Sequence, residues 1–186
     1  MQKFDLGIIG SRPAGEKAAL QAAYFGHSVC VIDRGSVGGA WVNTGTIPSK
    51  TLRESARYLA GGRRRGVLNE PSANPTVRSF MALKRHLVAR WREKIETNFR
   101  NHNVHRMRGQ ARLISAHVIE LDSGERLEGR YVMIATGSRP RKVPELAVDG
   151  HRVHNSETLL KLEQIPYSML VLGGGVIACE YASIFQ

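Results

Sequence analysis

The sequence predicts an α/β fold in which parallel strands carry an antiparallel insertion. Three observations lead to it. Residues 4–9 are an almost continuous apolar run ending at Gly10-Ser11-Arg12-Pro13-Ala14-Gly15, ahead of an Ala-rich stretch. Residues 169–172 repeat that arrangement before Gly173-Gly174-Gly175. Between the two, residues 104–127 alternate short strand-like runs with turns. A strand buried on both faces reads as an unbroken apolar run, and strand, glycine turn and helix in succession form the unit of doubly wound sheets.

The elements follow in order. Residues 17–25 have helical preference and stop at Gly26, and the β-branched run 28–32 closes on Asp33, giving a βαβ unit of about 30 residues. Residues 47–59 form a helix with Pro48 in its first turn, where a missing N–H costs little. The Gly-, Arg-, Asn- and Pro-rich segment 61–75 is expected to be flexible. Phe80, Leu83, Leu87, Trp91, Ile95 and Phe99 recur every three or four positions and predict a long amphipathic helix over 80–99. The runs within 104–127, the clearest being 118–121 before Asp122-Ser123-Gly124, predict an antiparallel meander. A buried strand over 131–135 then ends at Thr136-Gly137-Ser138. Residues 169–172 are expected to be a strand and 176–185 a helix, cut off at Gln186 without a stop signal, so a truncation is expected.

Length and charge narrow the classes. A chain of 186 residues can bury a sizeable core, and its apolar runs fall far short of the roughly 18 residues that span a bilayer. No membrane role is expected, and the start of the chain resembles neither a signal nor a transit peptide, which points to the cytoplasm. With 27 Lys and Arg against 16 Asp and Glu the net charge is +11, which raises a polyanionic partner. The excess lies largely between Arg53 and Arg108, in Arg63-Arg64-Arg65 and along one helix face, with few aromatics interleaved, so a solvated face is the expected reading rather than nucleic-acid binding. Cys30 and Cys179 sit in separate apolar stretches, so both are expected to be buried, reduced and without function. His102 with His105 and His151 with His154 lack Cys, Asp or Glu in a ligand pattern, and no metal site is expected.

A G-x-G-x-x-G turn strips side chains where the backbone must approach a pyrophosphate, and the helix after it aims its N-terminal amides at the anion. Gly10 and Gly15 hold the first and third places, and Asp33, at the end of the next strand, is placed to accept from a ribose hydroxyl. The second place is Arg12, whose side chain crowds the turn. Gly173, Gly175 and Ala178 form a second turn of the G-x-G-x-x-A kind, so two dinucleotides are implied. A tight strand-to-helix turn without a ligand is the alternative for either one.

The segment Gly38-Gly39-Ala40-Trp41-Val42-Asn43-Thr44-Gly45-Thr46-Ile47-Pro48-Ser49-Lys50 adds a family resemblance. The chain resembles the flavin disulfide reductase superfamily, whose members carry two redox cysteines in a G-G-x-C-x-x-x-G-C-I-P-S-K segment. Trp41 and Thr46 stand at those cysteine positions, so dithiol chemistry is excluded. Gly-Thr-Ile-Pro-Ser-Lys and the run from Gly175 to Phe185 are similar to the soluble, flavin-dependent pyridine nucleotide transhydrogenase branch. Trp41 departs from that branch too, which usually keeps a cysteine there.

The resemblance implies a Rossmann-like FAD-binding domain over 1–150 with the inserted meander. Residues 151–186 would be a connection and the truncated start of an NAD(P)-binding domain. It implies FAD contacts from Gly10, Gly15, Asp33, Arg34, Gly38, Gly39, Thr46, Lys50, Ala111, Ala135, Thr136 and Gly137, and NAD(P) contacts from Gly173, Gly175 and Ala178. It also implies hydride transfer between NADPH and NAD+ through the flavin, with Lys50 and Glu180 as a cation and carboxylate pair brought together. A longer parent is expected to be a homodimer, and this chain alone is expected to be inactive. A non-catalytic Rossmann-like module, or a relative of dihydrolipoamide dehydrogenase that has lost its cysteine pair, remains the alternative.

Overall fold

The computed structural model describes residues 1–64 and 77–186. Its strands are β1 (Gln2–Ile9), β2 (Val29–Asp33), β3 (His105–Arg108), β4 (Ala111–Leu113), β5 (Val118–Leu121) and β6 (Arg126–Ile134). Its helices are α1 (Pro13–Tyr24), α2 (Gly39–Asn43), α3 (Thr46–Arg64), α4 (Val77–Asn101) and α5 (Val176–Phe185), with a 3-10 turn at Leu159–Lys161. The chain divides into two compact units whose boundary falls inside α4: Met1–Asn43 with Arg90–Arg139, and Thr44–Ala89 with Pro140–Gln186.

The first unit holds a six-stranded sheet in the order β3-β2-β1-β6-β5-β4. β1 pairs in parallel with β2 and β6, and β2 in parallel with β3, while β4–β5 and β5–β6 are antiparallel. The expected meander over 104–127 is therefore only partly right. Its first strand lies at the opposite edge, where the long helical crossover through α4 delivers it parallel to β2, as such crossovers do. The rest forms the antiparallel arm. Cys30, Ile32, Met107, Ile119, Leu121 and Leu127 form a buried cluster here, with Phe4 and Val132 packed against it.

Local chemistry sets the ends of α1. Pro13 occupies the first turn with its φ already helical, and Glu16 places negative charge near the positive end of the helix dipole. The helix therefore begins before residue 17. At its other end Gly26, at φ +81°, donates its N–H to Ala23 O at 3.0 Å, and His27 donates to Ala22 O at 3.1 Å, a Schellman closure.

The second unit packs α3, the first half of α4 and α5 around Leu52, Phe80, Met81, Leu159, Leu160, Tyr181 and Ile184. Of the expected α4 stripe, Phe80, Ile95 and Phe99 are buried, but Leu83 is exposed and Met81 and Val88 are buried instead. α3 runs on to Arg64, and the segment expected to be flexible lies from residue 65 outside the described residues. Residues 169–172 are not a strand: Leu170 is 86% exposed and no strand among the described residues pairs with this segment. A parallel strand needs a neighbour to take up its N–H and C=O groups, and apolar sequence alone does not supply one. Tyr131 and Ile134 of β6, expected to be buried, are exposed as well.

Leu113 and Ile119 face each other across β4 and β5, yet Ile119 is fully buried and Leu113 is 43% exposed. Ile119→Ala is expected to lower unfolding free energy by about 2–5 kcal/mol, and Leu113→Ala by under about 1 kcal/mol. Urea denaturation checks this, and equal losses would contradict the packing described.

Candidate functional site

The first glycine turn stands at the carboxyl ends of the parallel strands. Gly10 has φ +105°, a region side chains rarely enter, and a Cβ there would run into the carbonyl of Ala135 at the end of β6. A Cβ at Gly15 would overlap Gly10 O and reach Ile8 and the Ala135 methyl group. These two glycines let α1 start directly against the strand ends. Gly10 N–H donates to Ile32 O at 2.7 Å and Ala135 N–H to Ile9 O at 2.8 Å, so β1, β2 and β6 meet at the turn.

Ser11, fully buried, connects this turn to the loop after β2. Asp33 Oδ2 accepts from Ser11 N–H at 2.8 Å and Ser11 Oγ at 2.6 Å, and its Oδ1 accepts from Gly35 N–H at 3.1 Å. Gly38 N–H points back to Ser11, 3.1 Å from its carbonyl and 3.2 Å from its hydroxyl. Three of the roughly four lone-pair directions of Asp33 are thus used within the protein. Arg34 is exposed beside it, and Ala111 is half-buried at the start of β4. Thr136 and Gly137 are exposed past the end of β6, while Ala135 is buried.

Gly38 and Gly39 lead into α2, which Asn43 closes by donating to Gly39 O at 2.7 Å and Val37 O at 3.0 Å. Arg92 Nε donates to Asn43 Oδ1 at 2.6 Å, fixing α2 to the later half of α4. Trp41 meets Trp91 edge to face, with ring centroids 5.0 Å apart, and Lys94 Nζ lies over Trp91 at 4.9 Å. Arg12 extends over both Gly39 and Gly137, and a Cβ at either glycine would collide with its side chain.

In the second unit Lys50 Nζ donates to Glu180 Oε1 at 2.7 Å, though the two are 130 residues apart in sequence. The pairing expected from sequence is present. The Lys50 bond holds the Glu180 carboxyl below its ordinary value of 4.5, against an opposing contribution from burial, and Ser49 adds to the lowering. Thr46 is exposed at the start of α3. Gly173 has φ +112°, Gly175 caps α5, and a Cβ at either would meet open space; Ala178 is half-buried one turn on. Cys179 is exposed, contrary to expectation, because it faces outward from the first turns of α5; Cys30 is buried, and burial pushes its thiol up to about 12.

The chain matches the family model described as pyridine nucleotide-disulphide oxidoreductase over residues 4–186. It belongs to that family. Among this family's members, soluble pyridine nucleotide transhydrogenase from Mycobacterium tuberculosis (strain ATCC 25177 / H37Ra) is 38% identical over 194 residues, covering 100% of this chain and 42% of the relative. Dihydrolipoyl dehydrogenase from Bacillus subtilis (strain 168) is 34% identical, covering 97% and 41%. The fold superimposes on the Cu(II) complex of the HOCl-induced flavoprotein disulfide reductase RclA from Escherichia coli with TM-score 0.85 and 28% identity, over 100% of this chain and 40% of that one. The chain therefore spans about two fifths of the length of these pyridine nucleotide-disulphide oxidoreductases. The family implies FAD and NAD(P) as cofactors. The backbone of the first turn fits a dinucleotide: its positive-φ glycine, its close strand contacts and its helix N-terminus all keep the geometry that such a ligand needs.

Sequence reasoning missed Ser11 and Asn43. A serine directly after the first turn glycine, with an Asp at the end of the next strand, signals the first; an Asn four residues after a Gly-Gly pair signals the second. Among the described residues no group of three or more His, Cys, Asp or Glu is placed to hold a metal ion, and no helix is long and apolar enough to cross a membrane.

Because Glu180 is depressed in the folded state, its contribution exists above its unfolded value and disappears as pH falls through the folded value. Glu180→Gln is expected to be less stable than wild type by up to about 1 kcal/mol at neutral pH, with the difference shrinking toward zero as pH falls below 4.5. Chemical denaturation across pH reads this; a difference that persists or grows in acid would contradict it.

Proposed function

We propose that this chain is the flavin-binding part of a pyridine nucleotide transhydrogenase, a member of its family that works by hydride passage without a redox disulfide. The observation that carries the reading is the Gly-Thr-Ile-Pro-Ser-Lys run that opens α3, which is similar to the transhydrogenase branch, while Trp41, packed edge to face on Trp91, leaves one redox-cysteine position of the resembled family without sulfur. With Thr46 at the other position, no sulfur pair is available to accept electrons.

In this reading residues 1–150 form the FAD-binding part, and 151–186 the connection and the start of the NAD(P)-binding part. Gly10, Gly15, Gly38, Gly39, Ala135, Thr136 and Gly137 bring backbone against the flavin nucleotide. Asp33, Arg34, Thr46 and Ala111 contribute side chains or contacts around it. Gly173, Gly175 and Ala178 serve the nicotinamide dinucleotide. When bound, the flavin supplies the hydride-carrying chemistry between NADPH and NAD+. Lys50 provides the cation, and Glu180, kept ionised by that same lysine, fixes its position. The proposed setting is cytoplasmic, with a homodimer as the assembly of a longer parent.

A second reading, a Rossmann-like module without catalysis, draws support from Arg12 lying over Gly39 and Gly137. FAD titration followed by visible absorbance separates the two. Uptake of flavin is the expected outcome, without steady NADPH-to-NAD+ transfer by a chain that covers 42% of its transhydrogenase relative. Absence of flavin uptake overturns the reading. Thiol titration gives a second check: one thiol, Cys179, is expected to react natively and Cys30 only on unfolding, with none added by mild reduction. Two new thiols after reduction would restore disulfide chemistry.

A further inference from the structure

The second place of a dinucleotide turn is normally bare so that a diphosphate can press on the backbone. An arginine there could act in either of two ways. It could distort the turn, or it could leave the turn intact and put its own atoms where the ligand goes. The turn is intact in the structure. Gly10 keeps φ +105°, Arg12 itself has extended backbone at φ −70° and ψ 171°, and Glu16 N–H still closes the first helical turn onto Arg12 O at 2.8 Å.

The side chain runs away from the turn across two other glycines. At Gly39 a Cβ would collide with Arg12 Cγ and come within 3.0 Å of Cδ and 3.1 Å of Nε. At Gly137 it would meet Cδ, Nε and Cζ. The stem thus lies against Gly39 and the guanidinium against Gly137, both at positive φ, +53° and +67°. Only residues without side chains leave room for it. Among the described residues the guanidinium has no hydrogen bond or ion pair, so contact with these two glycines, rather than a charged partner, holds it there.

From this we infer that Arg12 is an intramolecular occupant of the chain's own dinucleotide cradle, a gate that must swing out of the slot between Gly39 and Gly137 before the diphosphate of FAD can enter. The inference rests on the flavin reading above and deepens it. Only the fraction of molecules with Arg12 displaced is competent, and the apparent dissociation constant is weakened by that fraction. If the open fraction is about one tenth, FAD binds about tenfold more weakly than to an ungated cradle.

The test is FAD titration at fixed ionic strength, read by quenching of flavin and tryptophan fluorescence, on wild type, Arg12→Gly and Arg12→Met. Methionine keeps an unbranched stem and removes the charge. Arg12→Gly is expected to bind FAD about tenfold or more tightly than wild type, and Arg12→Met no more tightly than wild type. Equal or weaker binding by Arg12→Gly overturns the gate, as does Arg12→Met binding as tightly as Arg12→Gly. No FAD binding by any of the three overturns the flavin reading and the gate with it.

A cycle with Gly39→Ala reads the contact without flavin. In wild type the new methyl group meets both backbone strain and the Arg12 stem, whereas in Arg12→Gly it meets the strain alone. The drop in melting temperature from Gly39→Ala is expected to be about 2–4 °C smaller in the Arg12→Gly background. Additive losses would show that Arg12 does not occupy the slot.

Discussion

The carboxylate of Asp33 is the constraint on which the first unit depends. A strand end, a glycine turn and a loop all have backbone N–H groups to satisfy at one place, and a single buried serine with one acid satisfies them. Ser11 N–H and Oγ share Asp33 Oδ2, Gly35 N–H takes Oδ1, and Gly38 N–H closes on Ser11. Without the acid, the buried donors of Ser11 would lose their acceptor at a cost of about 1–3 kcal/mol each. The turn could then not hold Gly10 against Ala135 with the tolerance that the glycine requires. The knot explains why the end of β2 matters as much to this turn as the turn's own sequence does.

The second unit depends on a different kind of constraint. Its core of Leu52, Phe80, Leu160, Tyr181 and Ile184 joins three helices and a 3-10 turn, with no strand among the described residues of this unit. Lys84 Nζ donates to Leu160 O at 2.5 Å and Tyr181 Oη donates to Ser156 O at 3.3 Å, so the partly buried polar groups find partners in the connection that follows residue 140. Lys50 and Glu180 sit at the edge of this packing, and their bond is made by two helices that the apolar core has already brought together. The ion pair follows from the core. It adds direction to a charge and at most about 1 kcal/mol of stability to the fold.

How far the sequence could be read varied with the kind of interaction involved. Glycine turns, the α1 and α3 helices and the Lys50–Glu180 pairing were legible, because each rests on local rules or on a recognisable motif. The edge chosen by β3 was not: its run reads the same whether it pairs with β2 or β4, and the choice is made by the path of α4. The strand expected at 169–172 failed for a related reason, since apolar composition names a buried strand but not the neighbours it requires. Leu83 and Cys179 show the limit of periodicity, which gives a helix face but not what covers it. Arg12 was legible as a departure, but the sequence could not say that its side chain would lie over Gly39 and Gly137.

The two departures from the family pattern converge on one short helix. Arg12 crosses Gly39, the first residue of α2, and Trp41 stands in the same helix two residues on. Asn43 closes α2 and is tied by Arg92 to the helix that also carries Trp91. A cysteine at position 41 would offer too little surface for this anchoring, whereas a tryptophan reaches Trp91 and ties α2 to the later half of α4. Once α2 is fixed in this way, Gly39 cannot retreat from a long side chain at position 12, and the Arg12 stem has a defined floor to lie on. The packing at position 41 and the placement of Arg12 are then linked structurally: Trp41 and Asn43 tie α2 to α4, and α2 gives the Arg12 stem its place.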